Sequence, residues 1–246
     1  MNRPVLLVVA HGSRDPRHAA TVDALVRRAR ALRPGLRVET AFLDFTLPSV
    51  PGVLERLAAE GVRDVVALPL LLTRAFHAKA DIPAVLRQAP PALRVRQAEV
   101  LGPSPLLIAA VERRLYEAGL TPGDKSATGV VLASAGSTDP EAIAVIAETA
   151  RELRRTGWCS VRPAFASASL PRTEDAVRAL RAEEGVRRVA VAPYVLAPGR
   201  LPDRIAAGAG GADVLADVLG PSPEVVRLLV GRYEEAAAGR ALVAVS

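Results

Sequence analysis

The segment Leu101-Gly102-Pro103-Ser104-Pro105 recurs letter for letter as Leu219-Gly220-Pro221-Ser222-Pro223. Other matches precede it in the same order. Ala135-Gly136-Ser137-Thr138-Asp139-Pro140 follows the plan of His11-Gly12-Ser13-Arg14-Asp15-Pro16, and Val161-Arg162-Pro163-Ala164-Phe165 echoes Val38-Glu39-Thr40-Ala41-Phe42. Gly185-Val186-Arg187-Arg188-Val189 repeats Gly61-Val62-Arg63-Asp64-Val65, and Pro193 answers Pro69. So many ordered matches mean an internal duplication, and the fold must be one that a half-chain can build twice. The halves run 1–121 and 129–246, joined by the polar stretch 122–128 as a linker.

The half-chain pattern is legible in the first copy. Val5-Leu6-Leu7-Val8-Val9-Ala10 is an unbroken apolar run, which reads as a strand buried on both faces. It stops at His11-Gly12-Ser13, after which Asp15 supplies an N-cap oxygen and Pro16 suits the first helical position. Further strands are expected over 36–43, 65–72 and 93–101. Helices fill the intervals: Val22, Leu25, Val26, Ala29 and Leu32 fall at helical spacing, and Ser49 and Ser104 open later helices. Strands alternating with helices of this length predict an α/β fold, a four-stranded parallel sheet with helices on both faces in each half.

Half of the residues are hydrophobic but only 3% are aromatic, so the core is aliphatic and offers little surface for stacking nucleic-acid bases. The net charge of +6 suits an acidic small-molecule partner; neither a nucleic-acid nor a membrane partner is expected. Cys159 is the single cysteine, which excludes an intramolecular disulfide and a cysteine-based zinc site and agrees with a cytoplasmic location. The first apolar run is too short to span a membrane and lacks the layout of a signal peptide.

The two copies differ where chemistry would sit. His11 corresponds to Ala135, Asp44 aligns near Ser167, and His77 aligns with Leu201, while the scaffold residues persist. The loss of all three polar groups from one copy favours a functional first half, with the second as a degenerate repeat completing the cleft. His11 ends strand one, Asp44 follows strand two and His77 lies beyond strand three. Parallel strands bring their carboxyl ends to one edge, where open α/β sheets bind ligands. Two imidazoles and a carboxylate suit a borderline divalent ion such as Fe²⁺, Co²⁺, Ni²⁺ or Zn²⁺, with coordination positions left open. His11, His77 and Asp44 are therefore candidate metal ligands.

His18 falls within the first helix and reads as a solvated helix-face residue. Ser13 sits beside His11, but the chain has no G-x-S-x-G elbow and Ser137 repeats it beside an alanine. A backbone-capping or substrate hydrogen-bonding role suits it better than nucleophilic attack. Gly208-Ala209-Gly210-Gly211 joins no first strand to its helix, and no phosphate-binding P-loop is present. Arg14, Arg17, Arg74 and Lys79 flank the expected rim, and Arg200 aligns beside His77 from the second copy. Arginine holds carboxylates in bidentate geometry, so Arg14, Arg74, Lys79 and Arg200 are candidate contacts for an acidic substrate.

The turn His11-Gly12-Ser13, the segment Ala41-Phe42-Leu43-Asp44 with Pro48, and Pro69-Leu70-Leu71-Leu72 followed by His77 and Asp81-Ile82-Pro83 resemble the sirohydrochlorin chelatases. These are the class II cobalto- and ferrochelatases, and the duplicated chain is similar to their long form. The resemblance implies two tandem flavodoxin-like, chelatase-like units and a lyase activity. That activity inserts Fe²⁺ (for siroheme) or Co²⁺ (for cobalamin) into sirohydrochlorin, with the metal as substrate and no permanently bound cofactor. It also implies that His11 and His77 serve as ligands and proton acceptors while Asp44 assists, in a family where that position is usually glutamate. A monomer with two pseudo-symmetric halves is expected. Two other readings use the same residues: a non-catalytic tetrapyrrole or metal carrier, and a metal-dependent hydrolase in which Asp44 activates a metal-bound water.

Overall fold

A computed structural model describes residues 3–74 and 77–239, the side chains of His77 and Ala78 excepted. The first sheet contains β1 (Val5–Ala10), β2 (Val38–Phe42), β3 (Asp64–Pro69) and β4 (Arg94–Gln97), all parallel in the order β2-β1-β3-β4. Every residue of β1 is buried, as its unbroken apolar run predicts. Beyond β4 the ladder thins to single amide bonds, Ala98 to the Ala67 carbonyl at 2.8 Å and Leu101 to the Leu71 carbonyl at 2.9 Å, so the fourth strand is shorter than expected.

Helix α1 (Pro16–Leu32) starts where the Asp15 side chain accepts the Arg17 amide, and α2 (Val50–Ala59) where Ser49 accepts the Gly52 amide. Short α3 (Ile82–Leu86) follows a π-helical turn, His77–Asp81. Alternation along β1 divides its side chains between two layers. Val5, Leu7 and Val9 join a core with Val53, Leu54 and Leu57 of α2 and with Ile82 and Leu86 of α3. Leu6, Val8 and Ala10 point to the other face, where α1 buries Val22, Leu25, Val26 and Ala29.

The second sheet repeats the order with β5 (Thr128–Ser134), β6 (Ser160–Phe165), β7 (Arg188–Pro193) and β8 (Val214–Leu215), arranged β6-β5-β7-β8 and all parallel. It carries α5 (Pro140–Arg155), α6 (Thr173–Arg181) and α7 (Arg200–Gly208). The duplicated α/β architecture is the one the sequence predicts.

The packing units nevertheless differ from the repeat units of 1–121 and 129–246. Among the described residues, one compact unit comprises the chain through Gly102 together with residues 221–239; the other runs from Pro103 to Gly220. Helix α4 (Pro105–Glu117), written in the first repeat, thus belongs with the second sheet, and α8 (Pro223–Ala237), written in the second, belongs with the first. On the first unit α8 packs against α1 and β3, and its Tyr233 hydroxyl donates to the Pro4 carbonyl at 2.7 Å. On the second, Arg114 of α4 donates to the Leu219 carbonyl at 2.9 Å, and the Trp158 indole donates to Glu112 at 3.1 Å. Both hand-overs occur inside the identical Leu-Gly-Pro-Ser-Pro segments. The polar stretch expected as a linker lies within the second unit, where a 3₁₀ turn, Pro122–Ala127, is held by the Thr121 amide donating to Asp124 at 2.8 Å.

Candidate functional site

Central β1 lies between β2 and β3, so the chain leaves it toward one neighbour and later returns to the other. Its carboxyl end is the topological switch point of the sheet. His11 is the next residue. The parallel ladder continues past the strand, with the Leu43 amide on the Ala10 carbonyl at 3.0 Å and the Asp44 amide on the His11 carbonyl at 2.9 Å. The backbones of His11 and Asp44 are therefore fixed to each other.

Gly12 has φ +94°, and a Cβ there would lie 1.8 Å from the Asp44 carbonyl oxygen, so only glycine fits. Beside it, Thr46 Oγ1 accepts the Ser13 amide at 3.2 Å and donates to the Ser13 carbonyl at 3.0 Å. Ser13 Oγ accepts the Asp15 amide at 3.0 Å, a turn-capping bond that Ser137 repeats with Asp139 at 3.0 Å. The loop after β2 carries Phe45 at φ +58° and a cis Leu47–Pro48 bond.

His11 Nδ1 lies 3.3 Å from the Gly12 carbonyl, which can only accept. In the neutral ring that bond puts the proton on Nδ1 and the lone pair on Nε2. The Phe45 ring stacks on this imidazole, with centroids 6.1 Å apart and planes at 24°, and the Arg14 guanidinium carbon lies 5.2 Å from the Phe45 centroid. Asp44 is exposed, and its Oδ1 accepts the Phe45 amide at 2.8 Å.

His77 opens the π-helical turn that follows β3, but its side chain lies outside the described residues. The convergence expected of His77 with His11 and Asp44 thus falls outside the described residues. Among the described residues, no group of three or more His, Cys, Asp or Glu side chains forms a metal cluster. Lys79 lies exposed in the turn. Arg74 is exposed just before it, 3.9 Å from Glu99. Arg17 is held by a bidentate pairing with Asp15, its Nε 3.0 Å from each carboxylate oxygen. Arg200 is exposed at the first position of α7 in the second unit.

His18 differs from its sequence reading as a solvated residue. It is half-buried against Phe42, with ring centroids 6.4 Å apart, because the first turn of α1 directs it toward β2. Burial, with a smaller contribution from the charge of His11, pushes its pKa below the ordinary 6.5, while Asp15 partly opposes the shift. Among the described residues its Nδ1 has no hydrogen-bond partner.

The second copy preserves the cradle without the histidine, which Ala135 replaces. Gly136 has φ +93°, and a Cβ there would lie 1.9 Å from the Ser167 carbonyl oxygen. Ser169 takes the place of Thr46, accepting the Ser137 amide at 3.3 Å, and Ala168 at φ +59° precedes a cis Leu170–Pro171 bond. Phe45 and Thr46 were not among the sequence candidates. The Thr46/Ser169 and Leu-Pro matches were visible in the repeat, but nothing marked Phe45.

Fold and rim together define a duplicated α/β protein of the chelatase type, with its histidine-bearing edge in the first copy. The CbiX family model matches residues 5–118 and again 129–236, and the chain belongs to the CbiX family. It is 29% identical to a sirohydrochlorin cobaltochelatase of Priestia megaterium over 81% of this chain and 66% of that protein, so it spans about two thirds of that relative's length. It is 28% identical to a sirohydrochlorin ferrochelatase of Bacillus subtilis over 82% of this chain and 78% of that protein. The structure of SirB from Bacillus subtilis with Fe³⁺ superposes with a TM-score of 0.82 at 26% identity, covering 96% of each chain. Among the described residues, no helix is long and apolar enough to cross a membrane.

Proposed function

We propose that the protein is a sirohydrochlorin chelatase that inserts Fe²⁺ or Co²⁺ into the macrocycle, acting as a monomer in the cytoplasm. The observation that carries this reading is the CbiX match over both repeats, combined with retention of His11 in the first alone. Insertion exchanges two pyrrole N–H protons for the divalent ion, so the site must present the metal and accept protons. A neutral imidazole does either near pH 7. The Nδ1–H bond of His11 aims its lone pair from Nε2, the atom that would meet the ion. His77 is the second ligand and proton acceptor. Asp44, with one oxygen committed to the Phe45 amide, assists from its second oxygen. Arg14, Arg74 and Lys79 take the substrate's peripheral carboxylates, and Ser13, whose Oγ already accepts the Asp15 amide, donates its hydroxyl proton to a further carboxylate oxygen.

Metal-free sirohydrochlorin supplied with Fe²⁺ or Co²⁺ and sub-stoichiometric protein tests the reading. Many turnovers per protein molecule, followed by the change in the macrocycle's visible spectrum, are expected. Conversion limited to one equivalent would make the protein a carrier. Relatives of both metal specificities are almost equally similar to this chain, so the two ions belong in one competition assay.

A further inference from the structure

We propose that Phe45 and Leu47 form the apolar platform on which the macrocycle lies while its centre faces His11, with Arg14 as the cation at the platform's edge. The inference deepens the chelatase reading and rests on it for the identity of the ligand.

The loop after β2 turns its polar residue inward and its apolar ones outward. Thr46 Oγ1 accepts the Ser13 amide at 3.2 Å and donates to the Ser13 carbonyl at 3.0 Å. The residues on either side of it face solvent. Phe45 is 51% exposed, and Leu47, at 83%, is the most exposed large hydrophobic side chain among the described residues. Pro48 beside them is exposed as well. Folding does not account for this arrangement, because neither side chain belongs to the core. Phe45 holds φ +58°, a left-handed conformation that bulky residues seldom adopt, and the second copy makes the same turn with Ala168 at φ +59°. The ring therefore serves something other than the turn. Exposed apolar surface edged by polar groups is the mark of a ligand contact.

The position of the patch says which ligand. The Phe45 ring lies against the His11 imidazole, with centroids 6.1 Å apart, and the Arg14 guanidinium carbon lies 5.2 Å from the Phe45 centroid. The loop is tied to the histidine's own backbone, since the Asp44 amide donates to the His11 carbonyl at 2.9 Å. A tetrapyrrole whose central nitrogens meet an ion on His11 must spread its pyrrole rings over the residues beside that imidazole. Its flat face needs apolar cover there, and the carboxylates on its rim need a cation close by. Phe45 and Leu47 supply the first, and Arg14 supplies the second.

Binding of metal-free sirohydrochlorin to the full-length protein, followed by the macrocycle's visible absorbance with no metal added, tests the platform. Phe45→Ala and Leu47→Ser should each raise Kd, and the double variant should raise it about tenfold or more, with the melting temperature unchanged. Leu32→Ser removes an exposed leucine at the last position of α1 and should leave Kd at the parent value. Arg14→Ala should weaken binding at low salt and progressively less as salt rises, whereas the losses at Phe45 and Leu47 should persist. A double variant that binds like the parent, or a loss that Leu32→Ser shares, would overturn the proposal. So would a dimeric parent that the double variant turns into a monomer, because a second copy would then be what covers the patch. A parent that binds the macrocycle and never turns it over would sink the chelatase reading and leave the platform standing. A parent that turns over while the double variant keeps its affinity would do the reverse, and a parent that does not bind would remove both.

Discussion

The backbone carbonyl of Asp44 lies where a side chain on Gly12 would begin: a Cβ at Gly12 would stand 1.8 Å from that oxygen. The turn that presents His11 and the loop that presents Asp44 and Phe45 therefore interlock, and neither can shift without the other. The same relation holds between Gly136 and Ser167 at 1.9 Å, where no histidine is present.

Gly12→Ala and Gly136→Ala should accordingly cost similar stability, on the order of 2 kcal/mol or more, through the clash and the positive φ. Only Gly12→Ala should also disable turnover in protein that remains folded. Thermal unfolding and initial rates on the pair check this. Equal loss of turnover from Gly136→Ala would remove the assignment of the chemistry to the first half.

His11→Ala and His77→Ala should each abolish most activity, and the double variant should be little worse than either. Groups that act on one ion fail as a unit. Rates from the four proteins of that cycle decide it, and effects that multiply independently would mean that the two histidines do not share a site.

Asp44 has a structural and a chemical duty that substitution can divide. Asp44→Asn keeps an oxygen to accept the Phe45 amide, so it should retain the melting temperature while lowering turnover. Asp44→Glu, the residue that the resemblance implies at this position, should preserve or raise turnover, and Asp44→Ala should lower both properties. An unaltered rate in the Asn variant would reduce Asp44 to a loop residue.

His18 gives the fold a pH dependence of known sign. Its pKa is lowered by folding, so above the ordinary value of 6.5 it is neutral in both states and contributes no slope. As pH falls from 6.5 toward the lowered folded value, the unfolded chain takes up the proton first and stability drops. His18→Gln should flatten that acid-side loss relative to the parent while running parallel to it above neutrality. Melting curves of metal-free protein between about pH 5 and 8 measure it. Identical slopes for the two proteins would show that His18 is solvated after all.

The helix exchange predicts that damage crosses the repeat boundary. Leu229 of α8 and Leu115 of α4 are fully buried, and truncating either to alanine should cost about 2–5 kcal/mol. Hydrogen exchange should then quicken in β1 and β3 for Leu229→Ala and in β5 and β7 for Leu115→Ala. The reverse assignment would mean that each helix completes its own repeat.

Much of the architecture was legible because it is written twice. Apolar runs, capped helix starts and the aligned Gly-Ser turns specify two parallel sheets, and the change from His11 to Ala135 points to one strand end. The helix exchange was not legible, because the apolar stripe of α4 or α8 records that a face is buried and says nothing about which sheet buries it. Phe45 was missed because a phenylalanine in the left-handed region has no local sequence signature, unlike a glycine there. His18 was misjudged for a related reason. One histidine in the first turn of a helix does not reveal which way that turn faces, and only the seating of α1 on Phe42 does so.

The exchanged helices also bear on the order of events during synthesis. Residues through Gly102 leave the ribosome early, yet the helix that covers β3 and packs beside α1 begins only at Pro223. Until then the nascent first sheet must wait with one layer incomplete, while the second sheet has its borrowed helix, α4, already made before its own first strand appears. The half that carries His11 is the first to be translated and the last to be finished.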